Sequence, residues 1–199
     1  MTGAERRAQL LGIGREVFAE RGPDGASVEE IAARAGVSKP VVYEHFGGKD
    51  GLYAEVVRRE VEHLLLTFTS ALTGGSARVL LEQATWALLT YVEERGDGFR
   101  ILVRESPVTG ESSFATILSD VAVRVEHLLA AEFAERGFPT RFAGLHSQGL
   151  VGQVALVGQW WAQHGELDRR EVAAHLVNLA WNGLSGLEPD PVLRTDPLV

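Results

Sequence analysis

The chain has 199 residues, of which 45% are hydrophobic and 23% charged, as in an ordinary globular protein. It contains no cysteine, which excludes a disulfide framework, a thiolate nucleophile and a cysteine-based zinc site. The net charge is −8, but residues 1–60 hold nine basic and ten acidic side chains and are nearly neutral. The acidity belongs mainly to the C-terminal part, so the N-terminal part can bind a polyanion through a few well-placed cations.

The N-terminus is amphipathic and has no uninterrupted apolar region, so it does not read as a secretory signal peptide. No apolar run approaches the ~20 residues that a membrane-spanning helix needs. We therefore expect a cytoplasmic protein with no membrane partner.

The first helix is predicted over residues 4–21, and the stretch from Gly22 to Gly25 contains Gly and Pro and stops it sharply. Its apolar positions recur at helical spacing and are predicted to face inward. They are Leu10, Leu11, Ile13, Val17 and Phe18.

A second, shorter helix follows after Ser27. Ser27 and Glu30 predict a capping box, in which each side chain bonds to the backbone amide of the other residue. Gly36 ends this helix, because Gly enters the left-handed region without a Cβ penalty. Ser38 is then predicted to cap a third helix from Lys39 to about Phe46.

The third helix is predicted to have one buried side and one exposed side. Pro40 lies in its first turn, where a missing N–H costs nothing. Val42 and Phe46 are four residues apart and are predicted to be buried together. The opposite side is predicted to expose Lys39, Val41, Tyr43 and His45.

Two short helices joined by a tight turn form a helix-turn-helix, in which the second helix enters the major groove of DNA. An ordinary corner between two helices of an all-helical protein is the alternative interpretation. From helix geometry, DNA contacts are predicted at both helix N-termini and along the third helix. The predicted DNA-binding residues are Ser27, Ser38, Lys39, Pro40, Val41, Tyr43, His45 and Lys49.

The rest of the chain is predicted to be helical, with no alternating strand pattern and no internal repeat. Asp168 and Glu171 predict a second capping box, and the tail from Glu188 is predicted to be irregular. The helices are predicted at residues 49–72, 77–95, 98–105, 113–136, 141–164 and 169–185.

The last two helices carry few charges on any side, in particular over residues 145–161 and 172–184. A helix that is apolar all round has to be covered all round, and a second copy of the chain is the simplest cover. An ordinary central core is the alternative. The predicted homodimer interface contains Gln153, Leu156, Trp160, Val172, Leu176, Leu179 and Gly183.

The N-terminal stretch resembles the DNA-binding domain of tetracycline-repressor-like (TetR-family) regulators over roughly residues 6–60 without a gap. Pro40, Val41 and Gly48 depart from the residues that family members often have there, so no operator sequence carries over. The residues that carry the resemblance are Phe18-Ala19-Glu20-Arg21-Gly22, Val28, Ile31-Ala32, Ala35-Gly36-Val37-Ser38, Tyr43, His45-Phe46, Lys49 and Leu52.

This resemblance implies an all-α fold with an N-terminal three-helix helix-turn-helix domain and a C-terminal helical domain for ligand binding and dimerisation. The expected domains are residues 1–53, residues 54–187 and an irregular tail at 188–199. The expected function is a ligand-responsive regulator, most often a repressor, that a small molecule releases from a palindromic double-stranded DNA operator.

The resemblance also places an effector cavity among the C-terminal helices, where an apolar pocket with a few polar groups is the usual composition of such a site. Plain core packing is the alternative for each aromatic side chain there. The predicted ligand-binding residues are Trp86, Phe99, Leu102, Phe114, Leu118 and Gln148.

Catalysis has little support in the sequence, and we expect neither an enzyme nor a cofactor. Glu60 to His63 contains an E-x-x-H, but di-iron helical proteins need a second copy, and none is present. No metal site is therefore predicted. The alternative function is an all-helical small-molecule carrier or enzyme whose helix-turn-helix is merely structural.

Overall fold

The computed structural model describes residues 1–104 and 114–192, and helices are the only regular secondary structure in these two ranges. The all-α prediction is confirmed, and most predicted helix ends lie within two residues of the observed ones. The helices are α1 (Gly3–Gly25), α2 (Val28–Ala35), α3 (Lys39–Phe46), α4 (Lys49–Ala71), α5 (Ala77–Glu94), α6 (Gly96–Val103), α7 (Phe114–Arg136), α8 (Ala143–His164) and α9 (Arg169–Ser185), with a 3-10 turn at Thr140–Phe142 before α8.

Helix α1 is longer than predicted at its C-terminal end, because a kink at Gly22 is followed by one more short helical segment. Gly22 has φ 75° and ψ 171°, so the regular helix does stop where the sequence predicts. At the other end, Thr2 and Glu5 form a complete capping box that the sequence analysis missed. The predicted inward residue Ile13 is half-buried, whereas the other four inward residues are buried.

The described chain divides into two compact units, which combine segments that are distant in sequence. One unit consists of Met1–Thr73 with Ala87–Ile117, and the other of Gly74–Trp86 with Leu118–Val199. Helices α5 and α7 contribute to both units. This division describes packing, and the functional boundary between residues 53 and 54 stays a prediction.

In the first unit, α1 packs on α2, α4 and α6, and α3 packs on α2 and α4. The centre of this packing is apolar, with Leu10, Ile31 and Leu52 fully buried. Phe18 and Tyr53 meet edge to face with ring centroids 5.0 Å apart, an arrangement that the quadrupoles of aromatic rings favour. Helix α1 is therefore the support against which the helix-turn-helix is held.

In the second unit, α8 and α9 pack against each other across a short connection. The Trp161 indole is buried and donates to the carbonyl of Leu167 at 2.9 Å, which closes this connection. The predicted capping box at α9 is half formed, since Asp168 accepts from the amides of Arg170 and Glu171. No helix in either described range is both long and apolar enough to cross a membrane.

Candidate nucleic-acid interface

The two ends of α2 have the geometry that the sequence predicts. The Ser27 hydroxyl accepts from the Glu30 amide at 3.1 Å, and Gly36 adopts the left-handed conformation with φ 63°. The Glu30 carboxylate does not return to Ser27 but accepts from Arg34 at 2.6 Å, so the predicted capping box is only half formed. A guanidinium one turn along offers this carboxylate a charged donor, which makes a stronger bond than a neutral amide.

Helix α3 buries one side chain, and its other side chains are half-buried or exposed. Val42 is its only buried residue, while Tyr43 keeps 55% of its surface exposed. Val41 and His45 are half-buried. The prediction that Phe46 is buried with Val42 is wrong, since Phe46 is also half-buried. Its ring lies at the C-terminal end of the helix, where a guanidinium covers it instead of the apolar core.

That guanidinium belongs to Arg7 of α1, and its centre lies 4.3 Å from the Phe46 ring centroid. Arg7 Nη1 donates to the carbonyl oxygen of His45 at 2.6 Å, and Nη2 lies 3.3 Å from Glu55 Oε1 on α4. One side chain therefore satisfies a C-terminal carbonyl of α3, stacks on its last residue and connects it to α4. Sequence reasoning missed this role, because Arg7 and His45 are 38 residues apart.

Helix α2 is held in a similar way, since Gln9 Nε2 donates to the carbonyl of Ala35 at 3.2 Å. The α3–α4 connection depends on close backbone approach at Gly51. A Cβ placed there would lie 1.9 Å from the carbonyl oxygen of Phe46, so no other residue fits without a backbone shift. Helix α3 thus has a defined position although it buries little of its own surface.

The eight predicted DNA-binding residues lie in the segment from the start of α2 to the start of α4, and none of the eight is buried. Ser38 occupies the N-cap position of α3 but makes no side-chain capping bond, contrary to the prediction. Its hydroxyl is exposed. Lys49 occupies the first turn of α4, where a cation is close to the α3–α4 loop.

Lys39 is paired within the chain. Its ammonium donates to the carboxylate of Glu29 on α2, and both side chains are more than half exposed. The Lys39 hydrogen bond holds the pKa of Glu29 below its usual range. An exposed pair of this kind contributes little stability, so a phosphate group can replace Glu29 at small cost.

Glu55 of α4 forms ion pairs with three arginines. It accepts from Arg58 at 2.8 Å and from Arg59 at 3.1 Å, and Arg7 is the third partner. These guanidinium groups, Arg58 first, lower the pKa of Glu55 to about 2. Glu55 therefore remains charged at any pH near neutrality and keeps Arg7 in place.

The sequence analysis also missed a buried carboxylate at Glu60, the first residue of the E-x-x-H. Glu60 is 2% exposed and accepts from the Tyr91 hydroxyl at 2.9 Å and from Arg95 Nε at 2.9 Å. Burial, followed by the Glu60 charge, raises the pKa of Tyr91 above its usual range. Arg15 approaches the same carboxylate at 3.8 Å, beside a cavity of about 170 Å³.

This cluster connects α1, α4 and α5. Its centre is the Glu60 carboxylate, which forms an ion pair with Arg95. A buried carboxylate is tolerated only when charges and hydrogen bonds compensate for its lost hydration. In the described ranges, no group of three or more His, Cys, Asp or Glu side chains is placed to hold a metal ion.

The six predicted ligand-binding residues are distributed over both units. In the first unit, Phe99, Leu102 and Phe114 are buried, and the rings of Phe99 and Phe114 meet edge to face at 5.5 Å. In the second unit, the Arg169 guanidinium lies 4.4 Å from the ring centroid of Trp86. Leu118 is half-buried and Gln148 is exposed. A common cavity for these six residues stays a prediction.

The predicted dimer residues divide into two groups. Leu156 and Leu179 are each 65% exposed, Trp160 is 47% exposed, and Gly183 is exposed as well. Gln153 is half-buried. Val172 and Leu176 are each only 6% exposed, because they face the chain's own core. They support α9 from within, which is not the surface position that the prediction gave them.

Two family descriptions match the chain. Residues 10–56 match bacterial regulatory proteins of the tetR family, and residues 78–183 match the tetracyclin repressor-like C-terminal domain. The first match covers α2, α3 and the turn between them. The second covers most of α5 to α9.

Individual proteins are similar over most or part of the chain. The HTH-type transcriptional activator FasR of Mycolicibacterium smegmatis is 34% identical over 187 residues, 91% of this chain and 84% of that protein. The HTH-type transcriptional repressor Rv3405c of Mycobacterium tuberculosis is 37% identical over 84 residues, 42% of this chain and 43% of that protein. A TetR-like transcriptional regulator from Rhodococcus sp. RHA1 superposes with a TM-score of 0.75 at 28% identity, covering 94% of this chain and 100% of that one.

Proposed function

Because the chain belongs to the tetR family of bacterial regulatory proteins, we propose that it acts as a homodimer on a roughly palindromic operator and is released by a small molecule. Its relatives are DNA-binding transcriptional regulators and not enzymes, and its own helix-turn-helix is the part of the chain that binds DNA. The place of action is the cytoplasm, where bacterial chromosomal DNA lies.

The observation that carries the proposal is the exposed, firmly supported α3. Tyr43 and Lys39 stand out from this helix, while Arg7 and Val42 hold its other side. We assign Lys39, Tyr43 and Lys49 to phosphate groups and Val41 to a thymine methyl group, with His45 at a phosphate or base edge. The N-termini of α2 and α3, with Ser27, Ser38 and Pro40, lie against the DNA backbone.

Dimerisation is supported by the apolar side chains that α8 and α9 expose. Leu156, Trp160 and Leu179 are large and close to half exposed or more, and such patches on a single chain mark interaction surfaces. We propose that Gln153 and Gly183 belong to the same interface. The paired helices of two copies form a four-helix bundle that buries roughly 2,000 Å² or more in total.

A two-fold dimer presents two identical α3 helices, so its operator repeats one half-site in inverted orientation. The half-sites have to be separated by about one helical turn, ~34–36 Å, or a multiple of it, to lie on one face of the DNA. A small molecule that changes this separation lowers DNA affinity by the difference between its affinities for the two states.

For the effector we propose an apolar small molecule with few polar groups, bound in the first unit near the aromatic residues of α6 and α7. The composition of that region supports the proposal, since Phe99 and Phe114 are apolar and lie together in the first unit. Binding should raise the melting temperature of the protein and release DNA. A compound that raises the melting temperature without weakening the DNA complex would contradict release.

The regulator is proposed to repress, because its relative Rv3405c of Mycobacterium tuberculosis is named as a transcriptional repressor. The similarity to the activator FasR of Mycolicibacterium smegmatis favours activation as a second candidate. Transcription in vitro from the chain's own upstream promoter separates the two. Repression predicts less transcript with increasing protein, and activation predicts more.

The primary test is a gel shift with the DNA directly upstream of the chain's own gene, in the presence of excess non-specific competitor. We expect a discrete complex that Tyr43→Ala weakens strongly and that Leu66→Ala leaves unchanged, Leu66 being a comparably exposed residue of α4. A carrier or enzyme with a merely structural helix-turn-helix would show no complex with any DNA and would still bind a small molecule.

A further inference from the structure

The centre of the exposed side of α3 is acidic, which is unexpected on a helix that faces a polyanion. Successive residues of an α-helix turn by about 100°, so a residue two positions away lies nearly opposite. Val42 is the buried residue of α3, and Pro40 and Glu44 are its opposite neighbours. Both are exposed. Pro40 has no polar side chain, so Glu44 supplies the polar group at the middle of this side.

Glu44 is also unpaired in the described part of the chain, where no basic side chain lies within 4.0 Å of its carboxylate. Two acidic residues of α2 differ in this respect. Glu29 pairs with Lys39, and Glu30 pairs with Arg34 and Arg21. The carboxylate of Glu44 is therefore available to whatever α3 meets.

A carboxylate can only accept hydrogen bonds, which limits its partners in DNA. Phosphate oxygens are acceptors and anions, so they repel it. In the major groove, guanine presents acceptors at N7 and O6 and thymine an acceptor at O4. Adenine offers a donor beside the acceptor N7, whereas cytosine offers its N4 amino group as a donor, and this is the group that Glu and Asp side chains accept from.

We infer that Glu44 is a specificity-determining residue, which selects a cytosine in each half-site by accepting from its N4 amino group. The inference rests on the proposed function, since it needs α3 in the major groove. Glu44 acts by attraction at cytosine and by repulsion at every base that presents only acceptors, so it lowers affinity for non-operator DNA as well. The repulsive part of this discrimination adds to specificity without adding to the affinity for the operator.

The test is selection from a pool of randomised duplex DNA by the full chain, followed by titration of the enriched duplex and of the same duplex with single base-pair changes. The variants are Glu44→Gln and Glu44→Ala. Glu16→Gln on α1 is the matched control, since it removes one charge from an exposed glutamate outside α3. Thermal unfolding of each variant reports that it is folded.

We expect the wild-type protein to require cytosine at one position of each half-site, with roughly 5- to 150-fold weaker binding when that pair is changed. Glu44→Ala should lose this preference, and Glu44→Gln should move it towards adenine, whose N6 and N7 match a carboxamide. Preferences at the other positions should remain, and both variants should bind non-specific DNA more tightly. Glu16→Gln should select as the wild type does.

Identical selection by the wild type and both Glu44 variants would overturn the inference and leave the proposed function intact. If the Glu44 variants lost affinity equally for all DNA sequences, the inference would also be overturned, because a displaced α3 would explain that result. A wild-type protein that enriches no sequence at all would overturn both the proposed function and the role of Glu44.

Discussion

Two exposed helical surfaces of this protein, the outer side of α3 and the outer side of α8 and α9, differ in what they present to solvent. Helix α3 exposes Tyr43, Glu44 and Lys39, whose polar groups water satisfies. Helices α8 and α9 expose Leu156 and Leu179, whose apolar side chains form no hydrogen bonds with water. The polar surface of α3 is well solvated without a partner and suits reversible binding to a charged molecule. The surface of α8 and α9 gains from burial against another apolar surface.

The difference predicts that DNA binding and dimerisation depend on salt concentration to different degrees. DNA binding releases counterions, so its affinity falls as the salt concentration rises. Apolar association of α8 and α9 releases few ions and should change little. The near-neutral charge of residues 1–60 predicts a moderate salt slope, with few phosphate contacts per subunit.

The largest effect is expected from a charge on the apolar surface. Leu156→Asp or Leu179→Asp should place an unpaired carboxylate in the dimer interface and split the dimer at micromolar concentration. Operator affinity should then fall by at least about 100-fold, because the two half-sites are no longer bound by one linked molecule. Light scattering measures the mass, and a gel shift the affinity.

Leu66→Asp is the matched control for that experiment, since Leu66 is 67% exposed on α4 and outside the proposed interface. It should remain dimeric. If the wild-type protein is a monomer that binds a single half-site tightly, both the dimer and the operator spacing built on it are wrong.

A smaller loss is expected when the polar surface is altered at Tyr43. Tyr43→Ala should weaken operator binding by roughly 10- to 150-fold, the range for a hydrogen bond to a charged group. Stability should change little, because more than half of this side chain is already exposed. Calorimetry and gel shifts measure the two quantities. A variant that unfolds at markedly lower temperature yet binds normally would reverse our assignment of the α3 sides.

The support of α3 is tested by Arg7→Ala, which removes the bond to His45, the contact with Phe46 and the pair with Glu55. We expect the free energy of unfolding to fall by roughly 1–3 kcal/mol, since a part-buried carbonyl loses its donor. Arg6→Ala is the control, because within the described ranges the Arg6 side chain donates only to Gln9, one turn away. Equal effects of the two substitutions in urea unfolding would show that Arg7 has no special role.

The smallest expected effect is an increase in operator affinity. Glu29→Gln should release Lys39 from its ion pair and raise operator affinity a few-fold at low salt, with the difference shrinking as salt is added. Fluorescence anisotropy of a labelled operator at several salt concentrations measures it. Unchanged affinity at the lowest salt concentration would mean that Lys39 does not contact phosphate.

The sequence by itself determined the helices and the helix-turn-helix, because these depend on signals that act within a few residues. The hydroxyl of Ser27 caps α2, Gly36 turns the chain, and Asp168 begins α9 where the pattern predicts. Hydrophobic spacing likewise located the helices. None of these features requires knowledge of what packs on them.

Only the tertiary structure decided which side of each helix faces the core and which distant side chains meet. Phe46 is covered by Arg7 and not by apolar residues, and Val172 and Leu176 face inward instead of outward. The buried Glu60 carboxylate accepts from the hydroxyl of Tyr91, which lies 31 residues away in the chain. An amphipathic pattern shows that a helix has an apolar side, but the partner of that side is set by contacts between segments that are remote in the chain.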